Sequence, residues 1–149
     1  MKIQKKHLFH GAALTQIIEH GSFTAVNKAS EKSGHYQINF HSRMLIKYRK
    51  QNGDDFRFSL EVDDIEILQN DFKSGQKCFL CLVCGEKTIC LLNDSELKQL
   101  INFEKNLTQW LLVEQPHGKS IRVRSKNEEL DRKVSHNSFP DKLFTGIGE

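Results

Sequence analysis

Three kinds of side chain in this sequence have types and spacings that could do chemistry: a set of arginines and lysines on alternating positions, a histidine group near the start, and four cysteines. Arg43, Lys47 and Arg49 alternate with Met44, Ile46 and Tyr48, Arg57 stands between Phe56 and Phe58, and Arg122 and Arg124 alternate with Ile121 and Val123. Alternation of this kind puts the cations on one face of β-strands, where they can follow a phosphate backbone. Tyr36, Tyr48 or a phenylalanine, where unburied, would stack bases beside them. Arg43, Lys47, Arg49, Arg57, Arg122 and Arg124 are therefore the candidate anion-binding residues, and the expected partner is nucleic acid or an acidic protein.

Histidine offers a different chemistry. His7 and His10 would share one face of a helix that began early enough, His20 lies near its far end, and His41 follows in the basic segment. Such imidazoles can divide acid and base roles in phosphodiester cleavage, with Lys47 as the electrostatic stabiliser. A small nuclease or phosphodiesterase using His7, His10, His20, His41 and Lys47 is accordingly the alternative activity. The cysteines, Cys78, Cys81, Cys84 and Cys90, include a Cys-x-x-Cys-Gly run at residues 81–85 and would make a structural zinc site if their thiolates converged. In a strand, Cys78 and Cys84 project to one side and Cys81 to the other, which favours small buried hydrophobes over metal ligands. No cofactor is implied: dinucleotide-binding and phosphate-binding glycine loops are missing, as is a nucleophile elbow.

Charge is distributed unevenly. The chain has 149 residues and a formal charge of +3, yet residues 1–50 carry nine Lys or Arg against two acids, while residues 51–100 carry five against ten. Either an external polyanion or the acidic middle of the chain itself must balance the first third. At 38% hydrophobic residues the composition suits one globular domain, not a disordered chain. No run approaches the roughly 20 apolar residues of a membrane span, and no signal peptide is visible behind Met1, so a cytoplasmic location is expected.

The elements that must position these groups follow from periodicity. Leu14, Ile17 and Ile18 predict a helix over about 10–20 ended by Gly21, and 23–33 predicts a short helix or packed loop. Strands follow at about 35–40, 44–49 and 56–60. A three-residue loop at Gln51-Asn52-Gly53 would pair Tyr48 with Phe56 and Ile46 with Phe58, placing Lys47 beside Arg57 and Arg49 beside Asp55 on the wet face. Asp63 is the expected N-cap of the next helix, with Glu66 three residues on. Residues 77–84 and 87–92 form a hairpin whose two-residue Gly85-Glu86 turn would set Cys81 opposite Cys90. Its apolar residues on both faces call for cover on both sides. Asn93 with Glu96 caps a third helix, and residues 110–113 and 120–124 form a last strand pair about a turn at Pro116-His117-Gly118. Residues 125–149 are expected to be a loosely docked arm. The resulting fold class is α+β: one domain over 1–149, with a mixed or largely antiparallel central sheet of about six or seven strands and flanking helices.

The opening order α, β, β, β, α, β resembles the core of the restriction-endonuclease-like nucleases. That family places an Asp and a Glu-x-Lys on adjacent central strands, whereas here Leu45 stands two residues before Lys47 and Glu86-Lys87 lies in a turn, so the metal-binding carboxylates do not match. The runs Met44-Leu45-Ile46-Lys47-Tyr48-Arg49, Phe56-Arg57-Phe58-Ser59-Leu60 and Phe79-Leu80-Cys81-Leu82-Val83-Cys84-Gly85 resemble small uncharacterised bacterial α+β proteins over about residues 34–92. That resemblance implies a strand framework and no activity.

Overall fold

A computed structural model of the chain describes residues 1–50, 53–116 and 119–145. Its elements are α1 (Lys5–Ile18), β1 (Val26–Lys28), β2 (His35–Ile38), β3 (Ser42–Arg49), β4 (Asp55–Leu60), α2 (Val62–Lys73), β5 (Lys77–Cys84), β6 (Thr88–Leu92), α3 (Asp94–Leu100), β7 (Gln109–Glu114), β8 (Arg122–Arg124) and α4 (Asp141–Phe144). The class is α+β, but the strands divide into two sheets. A five-stranded mixed sheet runs β1-β2-β3-β5-β6, and a three-stranded antiparallel sheet runs β4-β7-β8.

Burial explains the division. Met44 and Ile46 face one side of β3 and Leu45 the other, and all three are buried. Such a strand needs neighbours along both edges and cover on both faces. It finds β2 antiparallel on one edge and β5 parallel on the other, with Lys47 opposite Leu82. Parallel neighbours cannot be joined by a tight turn. The intervening chain therefore makes β4 and α2 before returning as β5.

The expected pairing of β3 with β4 is thus not formed. β4 does alternate as predicted, with Phe56, Phe58 and Leu60 buried and Asp55, Arg57 and Ser59 exposed, but its partner is β7, which sets Phe58 opposite Leu111. Gln51 and Asn52 of the anticipated hairpin loop lie outside the described residues.

Two cores result. One side of the five-stranded sheet meets α1 and the C-terminal segment, joining Ala13 and Ile17 to Met44, Ile46, Cys81, Leu91, Phe139 and Leu143. The other side meets α2, α3 and the second sheet, joining Leu45, Leu80 and Leu82 to Ile65, Leu68, Leu97, Phe58 and Val113. Each Leu, Ile, Val, Met or Phe side chain among them contributes roughly 1.5–3 kcal/mol on full burial. The arm expected to dock loosely belongs to this framework: Val134 bridges to Ile121, and Val134, Phe139 and Leu143 are buried.

Local signals were followed unevenly. Asn93 caps α3 as predicted, its side chain accepting from the Glu96 N–H at 3.1 Å while Glu96 accepts from the Asn93 N–H at 2.9 Å. The helix α2 starts earlier than expected, with Glu61 as N-cap and the Asp64 carboxylate accepting its N–H at 3.0 Å. The first helix likewise begins at Lys5, where His7 Nδ1 accepts the Gln4 N–H at 3.1 Å. It ends on Glu19 in right-handed conformation, and Gly21 does not adopt the left-handed one. Residues 23–33 contain the short strand β1 in place of a helix. The β5–β6 turn has three residues, so Cys84 faces Thr88, Cys81 faces Leu91 and Cys90 faces Leu82.

Gly34 deserves its residue type. Its φ is +90°, and a Cβ there would lie 2.9 Å from the Ile46 carbonyl oxygen and 3.2 Å from the His10 ring. Only glycine lets β2 start this close to β3.

Candidate nucleic-acid interface

The second sheet buries one face against α2, α3 and the first sheet and turns the other outward. Its outward residues are Asp55, Arg57 and Ser59 of β4, Trp110, Leu112 and Glu114 of β7, and Arg122 and Arg124 of β8. Register sets them in rows. Arg57 is opposite Leu112, which is opposite Arg124. Asp55 is opposite Glu114, which is opposite Arg122, and Ser59 is opposite Trp110. Diagonal neighbours on such a face are within reach of long side chains. The Arg57 guanidinium accordingly lies over the Trp110 ring, 4.6 Å from its centroid, and Arg124 Nε donates to Glu114 at 3.2 Å. A cation over an indole face is attracted by the ring quadrupole and holds the ring in place.

Trp110 also lines a groove of about 760 Å³ whose walls include Phe103 and Leu107 and set Lys98, Lys105 and Lys126 against Glu104 and Glu128. Three arginines, one tryptophan and a lysine-bearing groove therefore adjoin. Two carboxylates temper the sheet face, leaving it with one net positive charge from Arg57, Arg122 and Arg124 against Asp55 and Glu114.

The other candidate cations lie elsewhere. Lys47 is on the first sheet, where Nζ donates to the wholly buried Asp64 carboxylate at 2.8 Å. Its expected neighbour Arg57 is in the other sheet, so the like-charged pair does not form, and Asp55 stands opposite Glu114 instead of Arg49. Arg43 donates to Asp71 at 3.3 Å and to Gln37 at 3.0 Å. Arg49 is exposed at the end of β3. Lys32 reaches Asp63 at 2.8 Å and the second Asp64 oxygen at 3.4 Å. Its hydrogen bond to Asp63 raises the Lys32 pKa and lowers that of Asp63. Three of the nine cations of the first third, Lys32, Arg43 and Lys47, are thus paired with acids of α2, of which Asp64 and Asp71 are buried.

The histidines are engaged separately. His7 caps α1, and His10 is buried with its ring edge against Tyr48. Burial, with help from Lys6 and His7, lowers the His10 pKa. His20 bonds Asp141 at 2.9 Å and stacks on Phe144, and the exposed His41 offers its carbonyl to the Lys77 N–H. Neither tyrosine flanks the arginine-bearing face: Tyr48 stacks on Phe9, and Tyr36 packs against the α1-side core.

Cys78, Cys84 and Cys90 share one core and Cys81 lies in the other, across the sheet. One ion cannot reach all four. Burial pushes the Cys84 thiol up to about 12 and raises the other three as well, which disfavours thiolates. Among the described residues no group of three or more His, Cys, Asp or Glu is placed to hold a metal ion, and no helix is long and apolar enough to cross a membrane.

Of the predicted anion-binding residues, the structure brings Arg57, Arg122 and Arg124 together. Sequence reasoning missed Trp110 as their companion, because the alternation of 109–114 marks a strand without naming the strand beside it. Comparison with protein-family models, with curated proteins and with solved structures returned no match.

Proposed function

We propose that the protein is a cytoplasmic domain that binds single-stranded nucleic acid, without cleaving it, on the outer face of the β4-β7-β8 sheet. The observation that carries this reading is the Arg57–Trp110 stack on an open sheet face with Arg124 and Arg122 in the adjoining rows. Guanidinium and indole planes both accept bases by stacking, which tolerates any sequence. Arg122 and Arg124 would meet phosphates, and the groove beyond Trp110 would take the next nucleotides along Lys98, Lys105 and Lys126. An acidic protein is the competing partner. It would use the same cations and gain little from a planar aromatic platform. The modest net charge predicts weak, salt-sensitive binding without base readout.

Fluorescence anisotropy with a labelled single-stranded oligonucleotide and with a labelled polyglutamate of equal charge separates these partners. The oligonucleotide is expected to bind more tightly, and Trp110→Ala is expected to cost roughly 1–3 kcal/mol of its affinity and leave polyglutamate unchanged. Equal loss for both ligands, or preference for polyglutamate, would overturn the nucleic-acid reading.

A further inference from the structure

Beneath the turn between β1 and β2, and independent of the sheet face, three side chains form a continuous hydrogen-bonded line. Ser30 Oγ lies 2.8 Å from His35 Nδ1, and His35 Nε2 lies 2.8 Å from Asp71 Oδ2. A carboxylate at Asp71 accepts from Nε2, so in the neutral imidazole the Nδ1 lone pair faces the serine. The backbone N–H of Lys32 donates to Ser30 Oγ at 3.2 Å, which leaves the hydroxyl proton for Nδ1. Arg43 donates to the other Asp71 oxygen at 3.3 Å, so the carboxylate is held at both ends. Burial is graded along the line: Asp71 is 1% exposed and His35 4%, whereas Ser30 is partly exposed between the exposed residues Glu31 and Ser33 and its buried base.

We infer that Ser30 is an activated nucleophile for acyl transfer, with His35 as its general base and Asp71 as the positioning residue. The roles are those of a Ser-His-Asp triad, which is recognised by geometry and not by order in the chain. Here the two ring nitrogens exchange places relative to the usual arrangement, but a base still faces the hydroxyl and an acceptor still orients the ring. As Ser30 Oγ bonds to an ester carbonyl carbon, its proton passes to Nδ1. The imidazolium, held by Asp71, returns that proton to the leaving alkoxide as the C–O bond breaks. Water then repeats the sequence on the acyl-serine, releasing the carboxylic acid and restoring Ser30. A nucleophile in a surface turn suits small activated esters.

The test is labelling of the full-length protein with a fluorophosphonate probe, followed by peptide mass mapping. Serine Oγ displaces fluoride from phosphorus, so attack is recorded on the nucleophile itself. General-base assistance is worth roughly 10²–10⁴-fold. Ser30 is therefore expected to label at least about 100-fold faster than the exposed Ser33 and Ser22 of the same chain, and His35→Gln, checked for folding by circular dichroism, is expected to abolish that advantage. Ser30 labelling no faster than Ser33 in the unsubstituted protein, or full labelling in a folded His35→Gln variant, would overturn the proposal.

Discussion

Replacing Lys47 with methionine would keep most of the side-chain volume and remove one charge from the interface of β3 with α2. Lys47 Nζ sits 2.8 Å from an Asp64 carboxylate that is fully buried. Removing one partner of a buried ion pair typically costs 3–5 kcal/mol, because the remaining charge is left without compensation. Lys32 Nζ remains 3.4 Å from the other Asp64 oxygen, and the Glu61 N–H still donates at 3.0 Å, which places the expected loss at the lower end, about 3 kcal/mol. For a chain of this size that corresponds to roughly 6–12 °C in thermal midpoint. Urea denaturation followed by circular dichroism measures the first quantity and a thermal melt the second. Adding Asp64→Leu to Lys47→Met should recover part of the loss, limited by the cap hydrogen bond that Asp64 also provides, worth about 1 kcal/mol. If Lys47 instead stood on a solvated sheet face beside Arg57, its removal would relieve repulsion. A loss below about 1 kcal/mol, or a gain, would refute the buried pairing with Asp64.

Three further outcomes follow from the same framework. Gly34→Ala forces a Cβ against the Ile46 carbonyl oxygen and His10 at a φ of +90° and should destabilise by more than about 1–2 kcal/mol, read by urea titration. Leu143→Ala should cost about 2–5 kcal/mol if the C-terminal segment is part of the core, as its burial requires; loss of less than 1 kcal/mol would mean a detached arm. Burial lowers the pKa of His10 below its ordinary value of 6.5, so the unfolded chain binds the proton more readily. Stability should then be complete above pH 6.5 and decline as pH falls from there towards the folded pKa; melts across that window should show a shallower decline in a folded His10→Asn variant.

The parts of the fold legible in the sequence were those decided by neighbours in the chain. Asn93 and Glu96 are three residues apart and cap one another. The alternation of β4 identifies its buried face whichever strand lies alongside. Partner choice was not local. Only the two-sided burial of β3 reveals that its second neighbour is β5, reached after β4 and α2, and a nearby Asn-Gly turn signal pointed to a hairpin instead. Three acids close together at the start of α2, Glu61, Asp63 and Asp64, all suit a helix N-terminus, so composition located the cap only to within two residues. The charge imbalance was visible, but its resolution through Asp63, Asp64 and Asp71 depends on α2 lying over β2 and β3.

The candidate face was half legible for the same reason. Alternation placed Arg122 and Arg124 on one side of a strand, and Arg57 on one side of another. Uniting them with Trp110 requires β7 between β4 and β8 in the observed register. Ser30, His35 and Asp71 carry no motif spacing, and only tertiary structure aligns them.

The most direct test of the central claim is the salt dependence of single-stranded oligonucleotide binding, compared between the unsubstituted protein and an Arg57→Ala/Arg124→Ala variant with a native circular dichroism spectrum. The logarithm of the association constant should fall as the logarithm of salt concentration rises; without the phosphate contact of Arg124 the variant's slope should be shallower by about 0.7, and without the Arg57 stack it should also bind more weakly. Identical slopes and affinities for the two proteins would contradict a nucleic-acid interface on the β4-β7-β8 sheet.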